Sequence, residues 1–221
     1  MLFLSIGENC LTDDILRRHN IKSFGTPYSS CRSNIYYALA LEDVRYAGLL
    51  DKNYLVTGLA GNSPVVRSSN IIESDEIFDP YHMKGFEFTH HDPIKNNLHR
   101  SSYQRKIDRL DEIRFKSDVC FFYYHRRNKN TNIYLLNKKL ANFIDYYKGV
   151  ENKVFLVLFY QTISDVKENR HLDLISHENF IWEFNFITRA MWGGKNPDLF
   201  WGRVDEDLIG EMIKMVKEII K

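Results

Sequence analysis

Asp118-Val119-Cys120-Phe121-Phe122-Tyr123-Tyr124 and Lys153-Val154-Phe155-Leu156-Val157-Leu158-Phe159-Tyr160 are two runs dense in β-branched, aromatic and aliphatic residues. Such continuous apolar runs are the mark of strands buried on both faces. Between them Ile133, Leu136, Leu140, Phe143 and Tyr147 recur at spacings of three and four, which is one face of an amphipathic helix. Strand, helix, strand is a βαβ unit, and a helical crossover makes the two strands parallel.

Reading outward, Leu2-Phe3-Leu4-Ser5-Ile6 is a third such run, closed by Gly7, and Phe180 to Ile187 is a further candidate strand. After Gly7 the chain turns helical. Leu11, Ile15 and Leu16 share a face, Asp13 and Asp14 open it, and Arg17, Arg18 and His19 close it, as the helix dipole favours. A second helix is expected near Asn34 to Leu50 and a third from Ser101 through Tyr103, Ile107, Leu110 and Ile113. The last, Leu208 to Ile220, is expected to be capped by Asp205. Gly58 to Pro64 reads as a turn-rich break, Ile71 to Lys84 as irregular, and Phe86-Glu87-Phe88 as a short strand leading to His90-His91-Asp92-Pro93. The expected fold class is α/β. It is a single doubly wound, mainly parallel sheet with helices on both faces, with residues 1–221 as one domain.

Thirty Lys and Arg stand against 29 Asp and Glu, so no global field recruits nucleic acid or an anionic membrane. No apolar run approaches the roughly 18 residues that suggest a membrane span, and Met1 to Gly7 is apolar but short and lacks a basic n-region, so no secretory signal is expected. A cytoplasmic protein is expected. Its three cysteines, Cys10, Cys31 and Cys120, lack CxxC spacing, and the four histidines from His82 to His99 match no zinc pattern, so neither a disulfide framework nor a metal is expected.

In an open α/β sheet, sites lie beyond the carboxyl ends of the strands. That rule selects Gly7-Glu8-Asn9-Cys10, then His125-Arg126-Arg127, then Gln161-Thr162. Cys10 stands at the first turn of its helix, where unpaired N–H groups favour a thiolate and can hold an oxyanion. Glu8, Asp13 and Asp14 act against this unless a histidine or arginine compensates. The same position suits a buried structural thiol. A nucleophilic cysteine needs a base, and His90, His91 and His125 are candidates; Asp92 follows His91 and either orients it or begins the Asp-Pro turn. Cys120, inside a strand, is read as packing. Asn9, His125 and Arg126 are expected to bind substrate, with the arginines suiting a phosphate or carboxylate.

Ser5-Ile6-Gly7-Glu8-Asn9-Cys10, Leu16-Arg17-Arg18 and Ser23 through Pro27-Tyr28-Ser29 together resemble the opening of a bacterial family of unknown function described as papain-like cysteine peptidases. The likeness continues through Phe88 to Asp92, Tyr103 to Leu110 and Tyr124-His125-Arg126. It implies Cys10 as nucleophile, with His91 as base and Asp92 beside it. Pro27-Tyr28-Ser29-Ser30 departs from the family's Pro-Phe-Asp-Trp segment. At the level of the first turn the chain is also similar to capsule-biosynthesis proteins associated with acyl transfer from coenzyme A. The expected activity is a Cys-dependent acyl-transfer reaction, hydrolysis or transfer, on a small-molecule, sugar or peptide substrate. No cofactor is required, and coenzyme A enters if the reaction is transfer. The opposing expectation is a non-catalytic ligand-binding or regulatory module in which Cys10 packs.

Overall fold

The computed structural model describes residues 1–70, 76–165 and 170–220; residues 71–75, inside the stretch read as irregular, lie outside it. The elements in chain order are β1 (Leu2–Ser5), α1 (Leu11–Arg18), α2 (Ile35–Asp43), β2 (Leu55–Ala60), β3 (Ser63–Ser68), β4 (Phe86–Phe88) and α3 (Asn97–Ile113). After these come β5 (Val119–His125), α4 (Ile133–Asp145), β6 (Val154–Ile163), β7 (His171–Ser176), β8 (Ile181–Thr188), α5 (Pro197–Phe200) and α6 (Glu206–Ile219).

Five strands form one sheet in the order β1-β5-β6-β8-β7. β1, β5, β6 and β8 are parallel neighbours, with Leu2 opposite Val119, Val119 opposite Val154 and Leu156 opposite Ile181. β7 returns antiparallel along β8. The two-residue period of a strand sends alternate side chains to opposite faces, and both faces are covered. Leu4, Phe121, Tyr123, Leu156 and Leu158 pack with Ile35, Leu41, Tyr103, Leu110, Leu136 and Phe143 of α2, α3 and α4. Cys120, Phe122, Tyr124, Val157 and Phe159 pack with Ile15 and Leu16 of α1 and with Ile209, Met212 and Val216 of α6. Cys120 is fully buried.

The mainly parallel sheet with helices on both faces is as expected, and its parallel strands run in the order β1-β5-β6-β8. The expectation of a single sheet is corrected. A second, antiparallel sheet, β2-β3-β4, stands beside the first. The segment read as a break, Gly58 to Pro64, is the hairpin between β2 and β3. Phe86 and Phe88 of β4 join the α3 side of the core, Phe88 lying edge-on to Tyr103 at 4.8 Å.

A local pairing links the second sheet to the first. Arg32 bridges Glu87 of β4, and the next residue, Ser33, donates its N–H to the Glu8 carbonyl at 2.9 Å. The antiparallel sheet is thereby tied to the turn after β1.

Candidate active site

The turn after β1 is built on close approach. A Cβ on Gly7 would lie 2.3 Å from Thr12 Oγ1 and 3.3 Å from the Tyr124 nitrogen, so only glycine fits. Asn9 Oδ1 accepts from the Leu11 N–H at 2.9 Å and holds the first turn of α1. Cys10 stands between them with helical backbone angles, its carbonyl accepting from Asp14 N at 3.0 Å. It is partly exposed, whereas Cys31 and Cys120 are buried.

The position at the helix start was expected to favour the thiolate. Instead burial, the largest influence, pushes the Cys10 thiol up; its own backbone hydrogen bond and Arg32 oppose this, while Asp13 and Asp14 add to it. Each of those acids has a basic partner: Asp13 pairs with Lys22 at 2.7 Å, and Asp14 with Arg17 and, at 2.9 Å, Arg18.

Glu8 is the centre of the arrangement. It is fully buried and both oxygens are engaged. Oε1 meets His125 Nδ1 at 2.7 Å and accepts from the Tyr123 hydroxyl at 2.9 Å; Oε2 meets His82 Nδ1 at 2.9 Å and accepts from the Arg126 N–H at 3.1 Å. Burial by itself raises the carboxyl pKa, but the charge and hydrogen bonds of His125 and His82 outweigh it and hold the group at about 2. A carboxylate only accepts, so both imidazoles present Nδ1–H to it. On His125 the other nitrogen is bonded to Thr131 Oγ1 at 3.0 Å. With Nδ1 donating to Glu8, it is Nε2 of His82 that can carry the lone pair when the ring gives up a proton.

A cavity of about 420 Å³ opens over this turn, lined on one side by Asn9, Cys10, Cys31 and His82. Arg32, Thr89, His90 and Arg126 add polar groups to its lining, and Gly194, Phe200 and Trp201 complete it. Asn9, Cys10 and Arg126, three of the residues singled out from sequence, therefore share one space. His91 and Asp92 do not line it; they line a neighbouring cavity of about 360 Å³ with Lys95 and His99. There the His91 ring stands edge-on to His99 at 4.9 Å and Tyr103 at 5.4 Å. Burial, then Lys106, His99 and His90, push it down to about 4. Asp92 Oδ1 accepts the N–H groups of Ile94 and Lys95, both at 2.9 Å, so its carboxylate closes the Asp-Pro turn. His125, expected at the carboxyl end of its strand as a binding residue or base, is fully buried with both ring nitrogens engaged, because β5 extends through it and carries its ring in among Glu8 and Thr131.

The model of the family described as "Putative papain-like cysteine peptidase" matches residues 1–162. The chain belongs to this family. No curated protein and no solved structure matches it.

The papain-like family match takes in Glu8, Cys10, His82 and Arg126, and ends within β6, before β7, β8, α5 and α6. His82 and Glu8 are the members that sequence reasoning missed. They are 74 positions apart, and no spacing rule links a residue in an irregular stretch to one in a turn. The one available signal was chemical, since an acid beside Cys10 called for a histidine or arginine to offset it. Among the described residues no group of three or more His, Cys, Asp or Glu side chains is placed to hold a metal ion, and no helix is long and apolar enough to cross a membrane.

Proposed function

We propose that the chain is a cysteine-nucleophile hydrolase of the peptidase type, with Cys10 as nucleophile and His82 as general base oriented by Glu8. The observation that carries this is the placing of Cys10 and His82 on one cavity, with His82 Nδ1 on a buried carboxylate. A thiol and an imidazole on one cavity, with a carboxylate behind the imidazole, are the groups from which such a triad is built.

The thiol, raised by burial, rests protonated, so the proton leaves as attack occurs. His82 Nε2 takes it while Sγ bonds to the carbonyl carbon and the carbonyl electron pair moves to oxygen. Asn9 Oδ1 is occupied by Leu11 N, which leaves the Asn9 amide N–H groups as donors for that oxygen, together with the start of α1. Collapse breaks the bond to the amine or alcohol, which leaves with the proton from His82. Water then attacks the thioester with His82 again as base, releasing the acid and restoring the thiol. Arg32 and Arg126 on the wall also favour a second reading, in which an acyl group reaches Cys10 from a phosphate-bearing thioester such as acyl-coenzyme A.

Alkylation by iodoacetamide and hydrolysis of p-nitrophenyl acetate test the reading. Cys10 reacts ahead of Cys31 and Cys120, with a pH midpoint above that of an ordinary thiol. His82→Ala and Glu8→Gln each slow both reactions, the latter by up to about 10⁴-fold if the tautomer is lost. Coenzyme A protects Cys10 only under the transfer reading. A Cys10 inert until unfolding, or one indifferent to His82→Ala, replaces the enzyme by a binding module with a packed thiol.

A further inference from the structure

The polar wall of the Cys10 cavity is one-sided in charge. Asn9, Arg32, Thr89, His90 and Arg126 face it, and no carboxylate side chain is among the described lining residues. Arg32 Nη1 meets Glu87 Oε1 at 3.1 Å, and the same carboxylate takes Arg67 at 2.6 Å. Arg126 pairs with Asp79 through Nε at 3.4 Å, and its side chain is 34% exposed. Its backbone N–H donates to Glu8, and the residue lines the nucleophile's cavity.

The aromatic part of the lining is firmly placed. Phe200 and Trp201 meet edge-to-face at 4.8 Å and 83°. The Trp201 carbonyl accepts from Arg18 Nη1 at 2.7 Å. Gly202 takes a left-handed φ of 66°, and a Cβ there would lie 3.1 Å from the Trp192 ring. These residues come from beyond the part that the family model matches.

We propose that this cavity selects acyl substrates bearing an oxyanion, carboxylate or phosphate, near the reacting carbonyl, with Arg126 and Arg32 holding the anion and Phe200 and Trp201 covering the apolar part. The inference rests on the reading of Cys10 as nucleophile. A guanidinium offers a carboxylate or phosphate two parallel donors, and an aromatic pair gives the attached apolar group a rigid surface at low entropic cost.

Two measurements separate this inference from the reading it rests on. In Cys10→Ala, where no chemistry intervenes, phenylacetate and its neutral isostere phenylacetamide are titrated by calorimetry. Phenylacetate binds about tenfold tighter at low salt, and Arg126→Gln removes that preference while Arg126→Lys keeps part of it. Trp201→Ala weakens both probes alike. In the wild type, iodoacetate is compared with iodoacetamide at Cys10, each forming the Sγ–C bond with loss of iodide. The iodoacetate to iodoacetamide rate ratio exceeds that of free cysteine, and Arg126→Gln lowers it. Equal binding of the two titrants, failure of both to bind, or a preference untouched in folded Arg126→Gln and Arg126→Lys overturns the proposal. A Cys10 inert to both alkylating agents, in a protein that still prefers phenylacetate through Arg126, overturns the catalytic reading instead and leaves an anion-binding cavity.

Discussion

A single histidine shows how little the identity of a side chain says about its role. His91 and His82 have the same ring, yet one leans on His99 and Tyr103 while the other is held by Glu8. Burial and neighbouring cations lower His91 to about 4, against 6.5 for the free ring. A lowered histidine favours the fold while neutral. Its contribution is complete above 6.5 and is lost as pH falls towards 4. His91→Gln therefore flattens the pH dependence of the urea midpoint between 6.5 and 4 and leaves alkylation of Cys10 unchanged. Slowed alkylation in that variant would return the role of base to His91.

Elements matter here through their ends. β1 and α1 are joined by a turn so tight that Gly7 sits against Thr12 and the backbone of Tyr124. A methyl group there must move a β-branched buried side chain, and overpacking of that kind costs about 1–3 kcal/mol. Gly7→Ala is expected to lower stability by that amount and to slow Cys10 alkylation more than the loss of stability accounts for, because the turn carries Glu8, Asn9 and Cys10 together. Retained reactivity in a destabilised Gly7→Ala would mean that the turn is not what positions the thiol. At the far end, Asp205 precedes α6 as expected, but its carboxylate bonds Arg170 and Trp192 rather than the helix N–H groups. α2, α3, α4 and α5 are instead begun by Asn34, Asn96, Asn132 and Asn196, each accepting backbone N–H groups.

Across the whole molecule the last third of the chain is fastened to the first helix. Arg18, only 15% exposed, bonds Asp14 at 2.9 Å, the Trp201 carbonyl at 2.7 Å and Glu206 at 3.2 Å. Hydrogen bonds of a charged group contribute about 1.5–3 kcal/mol each where solvent is excluded. Arg18→Met keeps the apolar stem and removes these bonds. It is expected to lower stability by about 2 kcal/mol, to change tryptophan fluorescence as Trp201 shifts, and to weaken phenylacetate binding in the Cys10→Ala background. Unchanged fluorescence with unchanged binding would show that Trp201 is placed by other contacts.

Local pattern sufficed for the parallel strands and the helices packed on them, because residue period and apolar content act within a few positions and are written in the chain. It also sufficed to put Cys10 at the turn after β1, since a strand run, a glycine and an amphipathic face adjoin there. The partner proposed for that thiol was not legible. Only the tertiary structure decided that Glu8, read as an obstacle to the thiolate, gathers His82 and His125, and that His91 falls into the next cavity. That choice depends on the β2-β3-β4 sheet, whose bridge from Arg32 to Glu87 sets where residues 82–92 lie against the first turn. A contact between residues 74 positions apart depends on how distant segments of the chain come together, and no local periodicity encodes it.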